Sequence, residues 1–441
     1  MSTNHQIRSN QDNSSLQVLE DVENGSSNLL SKIKNSSDGL RIIIAGFVAN
    51  FMVLGISFSF GVFQEYYTSS NGPLNHYKDS EIAMIGTLCN SLTYMGGIFN
   101  KILLYYMSPR KVMFIGAGLM GIGLISASFC TSMYQFILTQ GLVSGVGSSF
   151  LFMPPVVCAP MFFNKNRAIA MGFLFSGSGF GGLGMATLTR FLITNVGWKW
   201  CLRTLGLMGL VCGVGSGMLV KIPDQVNEQF QFNSKKILSI SQLKSWKVWL
   251  QLSASLLQSA GYLIPLIYMS RYGRTLGFSN SQGAMFIGVN NAINAVFKIL
   301  LGLAADRIGR LNMIIACSVL SSITVFTLWM ISSRDTFISF VVLYGVFSGA
   351  IISLLPTCLV ELFGASRYQS LSGLMYFSRG IGTLLGSPLA GLMIANGGRV
   401  SRDYKNSIIY DGALLLASTI CLIGLRARAT LDRGWKSSIK M

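Results

Sequence analysis

The chain has 441 residues, of which 51% are hydrophobic and only 11% are charged. Soluble domains usually carry about 25% charged residues, so this deficit indicates a chain that lies largely in lipid. The formal net charge is +18 at pH 7, but the basic residues are spread over short loops instead of one basic face, which argues against a nucleic-acid partner.

The cysteines and histidines form no ligand pattern. Eight cysteines are scattered along the chain, and the only histidines are His5 and His76. Neither a Cys-x-x-Cys pair nor a Cys/His spacing typical of zinc occurs. We therefore expect no metal site, no cofactor and no disulfide framework. Because no nucleophile–base pair is recognisable either, we also expect that the protein is not an enzyme.

Residues 1–40 are rich in Ser and Asn and poor in large apolar side chains. Such a composition cannot bury a core, so a disordered cytoplasmic tail is predicted. Twelve apolar spans follow, each about long enough to cross a bilayer core of about 30 Å, which takes roughly 20 helical residues. The predicted spans are 42–63, 83–106, 112–131, 135–161, 168–194, 202–221, 248–270, 283–305, 311–331, 336–362, 370–395 and 407–425.

The connections between the spans predict two bundles. We expect a six-helix bundle over 41–222, a cytoplasmic linker over 223–247, a second six-helix bundle over 248–425 and a basic cytoplasmic tail over 426–441. An even number of spans puts both termini on one side of the membrane. The loops of that side hold more than twice as many of the 34 Lys and Arg residues as the opposite loops, so the positive-inside rule predicts cytoplasmic termini.

The two halves repeat each other at an offset close to 200 residues. The matching positions are Pro155 with Pro356, Arg167 with Arg367, and Arg110 with Arg310. In each half the fourth span is Gly-rich and ends near a proline, and the fifth opens after an arginine. Two parallel repeats of six helices are typical of carriers that bind their solute near the midplane, between the halves.

A charged turn joins the eighth and ninth spans. Asp306 would lie at the inner end of the eighth span, where a carboxylate can face the positive N-terminal end of a neighbouring helix. We expect a conformational latch here, with a merely topological basic turn as the alternative. The first half keeps only two basic residues of this pattern. The latch residues are predicted to be Gly302, Asp306, Arg307, Gly309, Arg310, Arg110 and Lys111.

Three further stretches carry a family resemblance. The run Phe162–Gly172, which continues into Ser176–Gly179, contains aromatic-x-Lys-x-Arg-x-x-Ala-x-Gly; Ser59–Tyr67 and Arg379–Gly391 are similar to the first and eleventh spans of the same family. Over residues 38–425 the chain resembles the fungal branch of the monocarboxylate-transporter family. The resemblance implies the major facilitator fold, an all-α membrane protein of 12 transmembrane helices in two six-helix pseudo-repeat bundles, and transport of a small, often anionic solute.

The chain departs from this family at the positions that couple animal members to protons. Aligned on Gly302, the family's basic position in the eighth span is Lys298 and its acidic position is Asn294. Ser57 stands where the family has a lysine in the first span. Proton relays normally use Asp, Glu or His within the membrane, and here Asp411 and the other span acids are placed near span ends. Both facilitation and an unusual proton coupling therefore stay open.

The polar residues inside the spans are the candidate solute ligands. An ionised side chain at a helix centre costs at least about 2.5–3.5 kcal/mol, so such residues usually face an internal cavity. For the basic members, a structural bond to a carbonyl or to Glu361 is the alternative; for the others it is an interhelical hydrogen bond. The candidates are Lys298, Arg379, Asn294, Asn291, Asn290, Asn90, Tyr94 and Tyr376.

Cations without central anions predict an organic anion as the solute. The chain is therefore expected to be a rocking-bundle carrier of a monocarboxylate or similar anion. The alternatives are a carrier of a flavin-like vitamin and a non-transporting sensor that retains the fold. The expected partners are the lipid bilayer and the solute, with or without a coupled proton, and the transport unit is expected to be a monomer. The plasma membrane is the expected location, with a vacuolar or other internal membrane as the alternative.

Overall fold

The computed structural model describes residues 37–163, 165–221 and 245–433, and these form helices and connecting turns without a β-strand. This confirms the predicted all-α class. Most of the predicted linker (223–244), most of the predicted N-terminal tail (1–36) and half of the predicted C-terminal tail (434–441) fall outside the described residues. At the two ends of the described chain the helices reach further than the predicted spans, since the first begins at Ser37 and the last continues to Arg433.

Six helical spans form the first bundle. Two of them are interrupted: α1 continues after Ser59 as a second segment, and α2 bends by 45° at Gly96. The bounds are α1 Ser37–Phe58 with Phe60–Tyr67, α2 Asp79–Met95 with Gly97–Tyr106, α3 Pro109–Ala127, α4 Met133–Phe162, α5 Arg167–Val196 and α6 Trp198–Leu219.

Six more spans form the second bundle in the same order. Very short turns join most of them. Several of the connections contain a glycine with positive φ, such as Gly309 (113°) and Gly364 (81°), a backbone conformation that a β-carbon disfavours. The bounds are α7 Trp246–Thr275, α8 Asn280–Ile308, α9 Arg310–Trp329, α10 Arg334–Phe363, α11 Ala365–Leu392 and α12 Lys405–Arg433.

Ten of the described helices are long and apolar enough to cross a membrane, and the bent α2 makes eleven. The remaining helix, α11, has 28 residues, which exceeds the roughly 20 needed to span a bilayer. Its sequence is rich in Ser, Tyr and Arg, because it packs against α7 and α2 between the bundles instead of facing lipid on all sides. All twelve predicted spans therefore correspond to helices.

The bundles meet mainly through two helix pairs, α5 with α8 and α2 with α11, and through a smaller contact between α5 and α10. Glycines allow the backbones to approach closely. A β-carbon at Gly302 would lie 2.7 Å from the Ala168 carbonyl oxygen, and one at Gly373 would lie 3.2 Å from the Gly97 carbonyl oxygen. Such small-residue contacts are the usual means of close helix packing in lipid. Both pairs are tight towards the end of the molecule that carries the α2–α3 and α8–α9 turns, which we call the basic face.

At the other end of the molecule the bundles separate around a cleft of about 880 Å³. Its walls come from α1 and α5 of the first bundle and from α7 and α8 of the second. We call this end the cleft face. The molecule is thus closed at the basic face and open at the cleft face, which is one of the two end states that an alternating-access carrier requires.

Candidate functional site

Arg379 is a buried cation on α11, midway along the helix, with 1% of its surface exposed. Its Nη1 donates to Oε1 of Gln258 on α7 at 2.6 Å. The guanidinium carbon lies 5.4 Å from the ring centroid of Tyr94, which belongs to the first bundle. No carboxylate within 37–163, 165–221 or 245–433 makes an ion pair with Arg379. A buried charge without a counter-ion is unfavourable, and an anionic solute would relieve it.

Aromatic rings from both bundles surround this guanidinium. Tyr94 and Tyr376 lie nearly parallel, with centroids 6.3 Å apart and planes 8° apart. The ring of Phe152 on α4 is nearly perpendicular to both, with centroids at 5.7 Å and 5.9 Å. Phe175 of α5 meets Phe152 at 6.1 Å. Because aromatic rings attract cations and pack on planar groups, the cluster combines one positive charge with flat apolar walls.

Several buried polar atoms around this cluster lack a hydrogen-bond partner among the described residues. They are the Tyr376 hydroxyl, Gln258 Nε2, Arg379 Nε, Asn291 Nδ2 and Asn90 Oδ1. Buried polar groups are paired in the large majority of cases, so each exception requires an explanation. A solute or water that enters between the bundles would supply the missing partners.

Two of the candidate asparagines are used within the second bundle. Asn290 Nδ2 donates to the Val341 carbonyl at 2.8 Å, and the Asn294 amide packs against Gly349 of α10. These contacts match the alternative of interhelical bonding that the sequence left open. Their roles as solute ligands stay predictions.

Lys298 lies between α8 and α5, with 1% of its surface exposed. Its ammonium donates to Ser178 Oγ at 2.7 Å and to the Phe175 carbonyl at 3.3 Å. Both acceptors belong to the first bundle, so in this conformation Lys298 ties the bundles together. The structure brings it to the same interface as Phe175 and the aromatic cluster, while its binding of a solute stays a prediction.

Asp306 lies at the N-terminus of α5. Its two carboxylate oxygens accept from the backbone N–H of Ala168 at 3.1 Å and of Ile169 at 2.9 Å. The first N–H groups of a helix have no intrahelical acceptor and carry partial positive charge. Asp306 therefore caps α5 across the interface between the bundles, with only 6% of its side chain exposed.

Arg310 holds this carboxylate in place from the next helix. Its Nη2 and Nε donate to the same Asp306 oxygen at 2.8 Å and 3.0 Å, and its Nη1 lies 3.7 Å from Glu361 on α10. The Lys165 carbonyl accepts from Nη2 at 3.3 Å. The other predicted latch side chains are placed differently: Arg307, Arg110 and Lys111 are exposed, and Arg110 stacks over Phe114 of its own helix.

The α2–α11 pair has a polar contact of its own at the basic face. Lys101 donates to Ser370 Oγ on α11 at 3.0 Å, and the Tyr368 hydroxyl donates to the Val156 carbonyl at 3.2 Å. The structure buries Lys101 between the bundles, because α11 covers the inner half of α2.

Gln258 and Phe152 were missed by sequence reasoning. Gln258 had a signal that could have found it, since Gln251 and Gln258 are seven residues apart and thus on one face of an otherwise apolar helix. Phe152 had none, because a single phenylalanine in an apolar span does not reveal which helix it faces.

The comparisons with known proteins agree with this architecture. The family model "Major Facilitator Superfamily" matches residues 42–302 and 254–438. The MFS-type transporter pynF of Aspergillus niger is 29% identical over 399 residues, covering 90% of this chain and 89% of the relative. The aspyridones efflux protein apdF of Emericella nidulans is 27% identical over 380 residues, which cover 85% of this chain and 75% of that relative.

The fold is also that of a solved transporter. The crystal structure of the human organic anion transporter MFSD10 (TETRAN) matches with a TM-score of 0.68 at 11% identity, covering 88% of this chain and all of that one. At this identity the likeness concerns the fold alone. With a family model that matches most of its length, the chain belongs to the Major Facilitator Superfamily and is a multi-pass integral membrane transporter.

Proposed function

We propose that this carrier moves an organic anion with an aromatic or conjugated portion, bound between the two bundles at Arg379. The observation that carries the proposal is the guanidinium itself, which is 1% exposed, bonded to the neutral Gln258 and without an acidic partner among the described residues. A carboxylate or enolate of a solute would complete this site with charge-assisted hydrogen bonds.

The aromatic walls favour a solute larger than a simple monocarboxylate. Tyr94, Tyr376 and Phe152 contact one another beside the charge, and a flat conjugated group could insert among them with little loss of aromatic contact. The name of one relative describes efflux of aspyridones. By this similarity we propose export of a secondary-metabolite-like organic acid, with a monocarboxylate of the type suggested by the family resemblance as its simplest form.

The direction of opening fits the release step of export. If the basic face is cytoplasmic, as the distribution of Lys and Arg predicts, then the cleft opens to the outside. Arg379 bonds to Gln258 of α7, which lies about two and a half helical turns before Ile267, the first α7 residue that lines the cleft. We propose that the solute binds in this deep site from the inside and leaves through the cleft.

A flavin-like vitamin is the second candidate solute. The stacked pair of Tyr94 and Tyr376, with the unpartnered Tyr376 hydroxyl beside it, supports a planar heteroaromatic ring with polar edges. A flavin phosphate would satisfy both the charge and the rings, whereas the neutral vitamin would use the rings alone.

A paired-ligand assay tests the proposal. Purified protein in lipid nanodiscs would be titrated with 2-naphthoate and its neutral partner 2-naphthamide, and with riboflavin phosphate and riboflavin, while its thermal unfolding is followed. We expect each anion to stabilise the wild-type protein more than its neutral partner. In Arg379→Gln this preference should fall by about tenfold in affinity, since a charge-assisted bond is worth about 1.5–3 kcal/mol.

Two controls make the result specific. Arg428→Gln removes the same charge from an exposed position on α12 and should leave the anion preference intact. Efflux of the best anion from preloaded proteoliposomes should be lost in Arg379→Gln and kept in the control. Equal binding of anions and neutral partners by a folded wild-type protein, or an unchanged preference in Arg379→Gln, would contradict the anion site.

A further inference from the structure

Asp411 is an acidic side chain buried within the second bundle. It is the seventh residue of α12, less than two helical turns from the start of that helix at Lys405, in agreement with the predicted position near the end of a span. Asp411 is 0% exposed, and it lies against Gly261, which is midway along the 30-residue helix α7. An acidic group is therefore enclosed between α12 and α7, inside the second bundle.

Neither carboxyl oxygen of Asp411 has a hydrogen-bond partner among the described residues. No ion pair within that part of the chain involves it either. Burial of an isolated carboxylate in an apolar interior is so unfavourable that the group takes up a proton instead. The surroundings thus require Asp411 to be a neutral acid in this conformation.

The titratable groups that face Asp411 are phenols. They are Tyr344 on α10, which donates to the Tyr262 carbonyl at 3.1 Å, and Tyr410 on α12 itself. On the side of α9 the adjacent Gly412 packs against Phe326. No Lys, Arg or His in the described ranges forms an ion pair with Asp411, so these surroundings leave protonation as the means of neutralising the carboxyl.

Helix α7 has two features beside this carboxyl that allow the contact between them to change. A β-carbon at Gly261 would lie 2.9 Å from Asp411 Oδ1, so only glycine leaves the carboxyl its present space. Pro265, four residues on, has no N–H to donate to the Gly261 carbonyl, which leaves a free acceptor beside the acid and a weak point in the helix.

The two ends of α7 serve different parts of the transport machinery. Before the weak point, Gln258 bonds to Arg379 at the solute site. After it, Ile267 and Arg271 line the wall of the cleft. Closure of the cleft must move the outer part of α7 towards α1, and the Gly261–Pro265 segment, against which Asp411 packs, lies between the moving part and the solute site.

We propose that Asp411 is a proton-binding site of the transport cycle. The carboxyl holds its proton while α7 packs on it as here, and it releases the proton to water when α7 bends to close the cleft, so that its O–H bond breaks and a carboxylate forms. Proton movement is thereby coupled to the step that moves the solute. This coupling rests on the proposed function, whereas the protonated state of Asp411 does not.

Infrared spectroscopy tests the protonated state without any solute. In nanodiscs at neutral pH, wild-type protein should show the C=O stretch of a neutral carboxylic acid in apolar surroundings. The band should shift when aspartate is supplied with carbon-13, which needs no substitution, and it should be absent in Asp411→Asn. Asp335→Asn, at an exposed position, is the matched control and should keep the band. A wild-type spectrum without an isotope-sensitive neutral-acid band would overturn the proposal.

Proton flux tests the coupling. Proteoliposomes that contain a pH-sensitive dye would be driven by a gradient of the anion selected by the Arg379 assay. Wild-type protein should move protons with the solute, and Asp411→Asn should carry the solute down its gradient with proton flux reduced about tenfold or more. Solute flux with unchanged proton flux in Asp411→Asn would overturn the coupling. Failure of every anion in the Arg379 assay would instead reject the proposed function and leave the infrared result to decide the proton site.

Discussion

At the scale of single residues, the proposed solute site contains polar atoms that have no hydrogen-bond partner among the described residues. The Tyr376 hydroxyl is buried and unbonded although its ring packs well against Tyr94 and Phe152. An unsatisfied buried hydroxyl lowers the stability of the folded protein. A side chain that keeps such a group is more consistent with a ligand contact than with a structural role.

Tyr376→Phe separates these two roles. Removal of a buried hydroxyl that has no partner should leave the melting temperature unchanged or raise it slightly, because no bond is broken. If the hydroxyl donates to the solute, the affinity for the anion selected by the Arg379 assay should fall about three- to tenfold, which corresponds to one neutral hydrogen bond. Thermal unfolding and ligand titration of the same preparation measure both effects.

The matched control is Tyr344→Phe, which removes a hydroxyl bonded to the Tyr262 carbonyl outside the aromatic cluster. This variant should lose stability and keep its affinity for the solute. A loss of stability in Tyr376→Phe without a change of affinity would assign its hydroxyl to the fold.

The sequence predicted the types of the site residues better than their partners. Arg379 stood out because a cation inside an apolar span is expensive wherever it lies. Its contact with Gln258 could not be predicted, since it depends on how α7 and α11 are rotated against each other. The burial of Asp411 could not be predicted for a related reason, since its place near the start of α12 does not reveal that α7 covers it.

At the scale of helices, the contact between α5 and α8 is the main lock of the basic face. Asp306 caps the N-terminus of α5. About two turns before Asp306 on α8, Lys298 donates hydrogen bonds to Phe175 and Ser178 of α5. The glycine at 302 lets the two backbones approach between these polar contacts. Because both polar contacts cross between the bundles, they can form only while this face is closed.

Asp306→Asn is expected to loosen this lock. The substitution removes the charge that interacts with the α5 N-terminus and with Arg310, and charged hydrogen bonds of this kind are worth about 1.5–3 kcal/mol. The population with an open basic face should rise about tenfold or more. Spin labels at Lys111 and Arg428, which are exposed in different bundles, would report a longer distance between the bundles.

Asp335→Asn supplies the control, since it removes an exposed carboxylate at the start of α10. Its distance distribution should match that of the protein with labels alone. An Asp306→Asn distribution equal to that of the control would mean that the Asp306 contact does not hold the basic face closed.

The helices themselves followed from the sequence because lipid imposes both length and apolarity on a span. The least regular case is α11, which is more polar than the other spans because it lies between the bundles, and it was still predicted from its apolar residues. The bend of α2 at Gly96 and the break of α1 at Ser59 had no clear signal, since such irregularities depend on the neighbouring helices.

At the scale of the whole molecule, the charges at the cleft face suggest how that face closes. Glu65 and Arg190 lie on the first-bundle wall and pair at 2.9 Å. On the opposite wall, Arg271 and Arg274 also line the cleft. Opening of the basic face must bring these walls together, which places Glu65 near the arginines of α7. Glu65 would then attract these arginines across the closed cleft, just as Asp306 binds the N-terminus of α5 across the closed basic face.

Glu65→Arg should therefore disfavour closure of the cleft, because it puts a third positive charge opposite Arg271 and Arg274. Charge pairs exposed to water are worth about 0.2–1 kcal/mol, so the closed-cleft population should fall about two- to fivefold, and the effect should weaken at high salt. Spin labels on the two walls, at Val62 and Ser281, measure the closed-cleft population.

The control is Arg190→Gln, which breaks the same exposed ion pair without adding a positive charge and should change the closed-cleft population little. A further Arg271→Glu substitution should restore closure in the Glu65→Arg protein, and equal distance distributions in all these variants would show that the cleft closes without this charge pair.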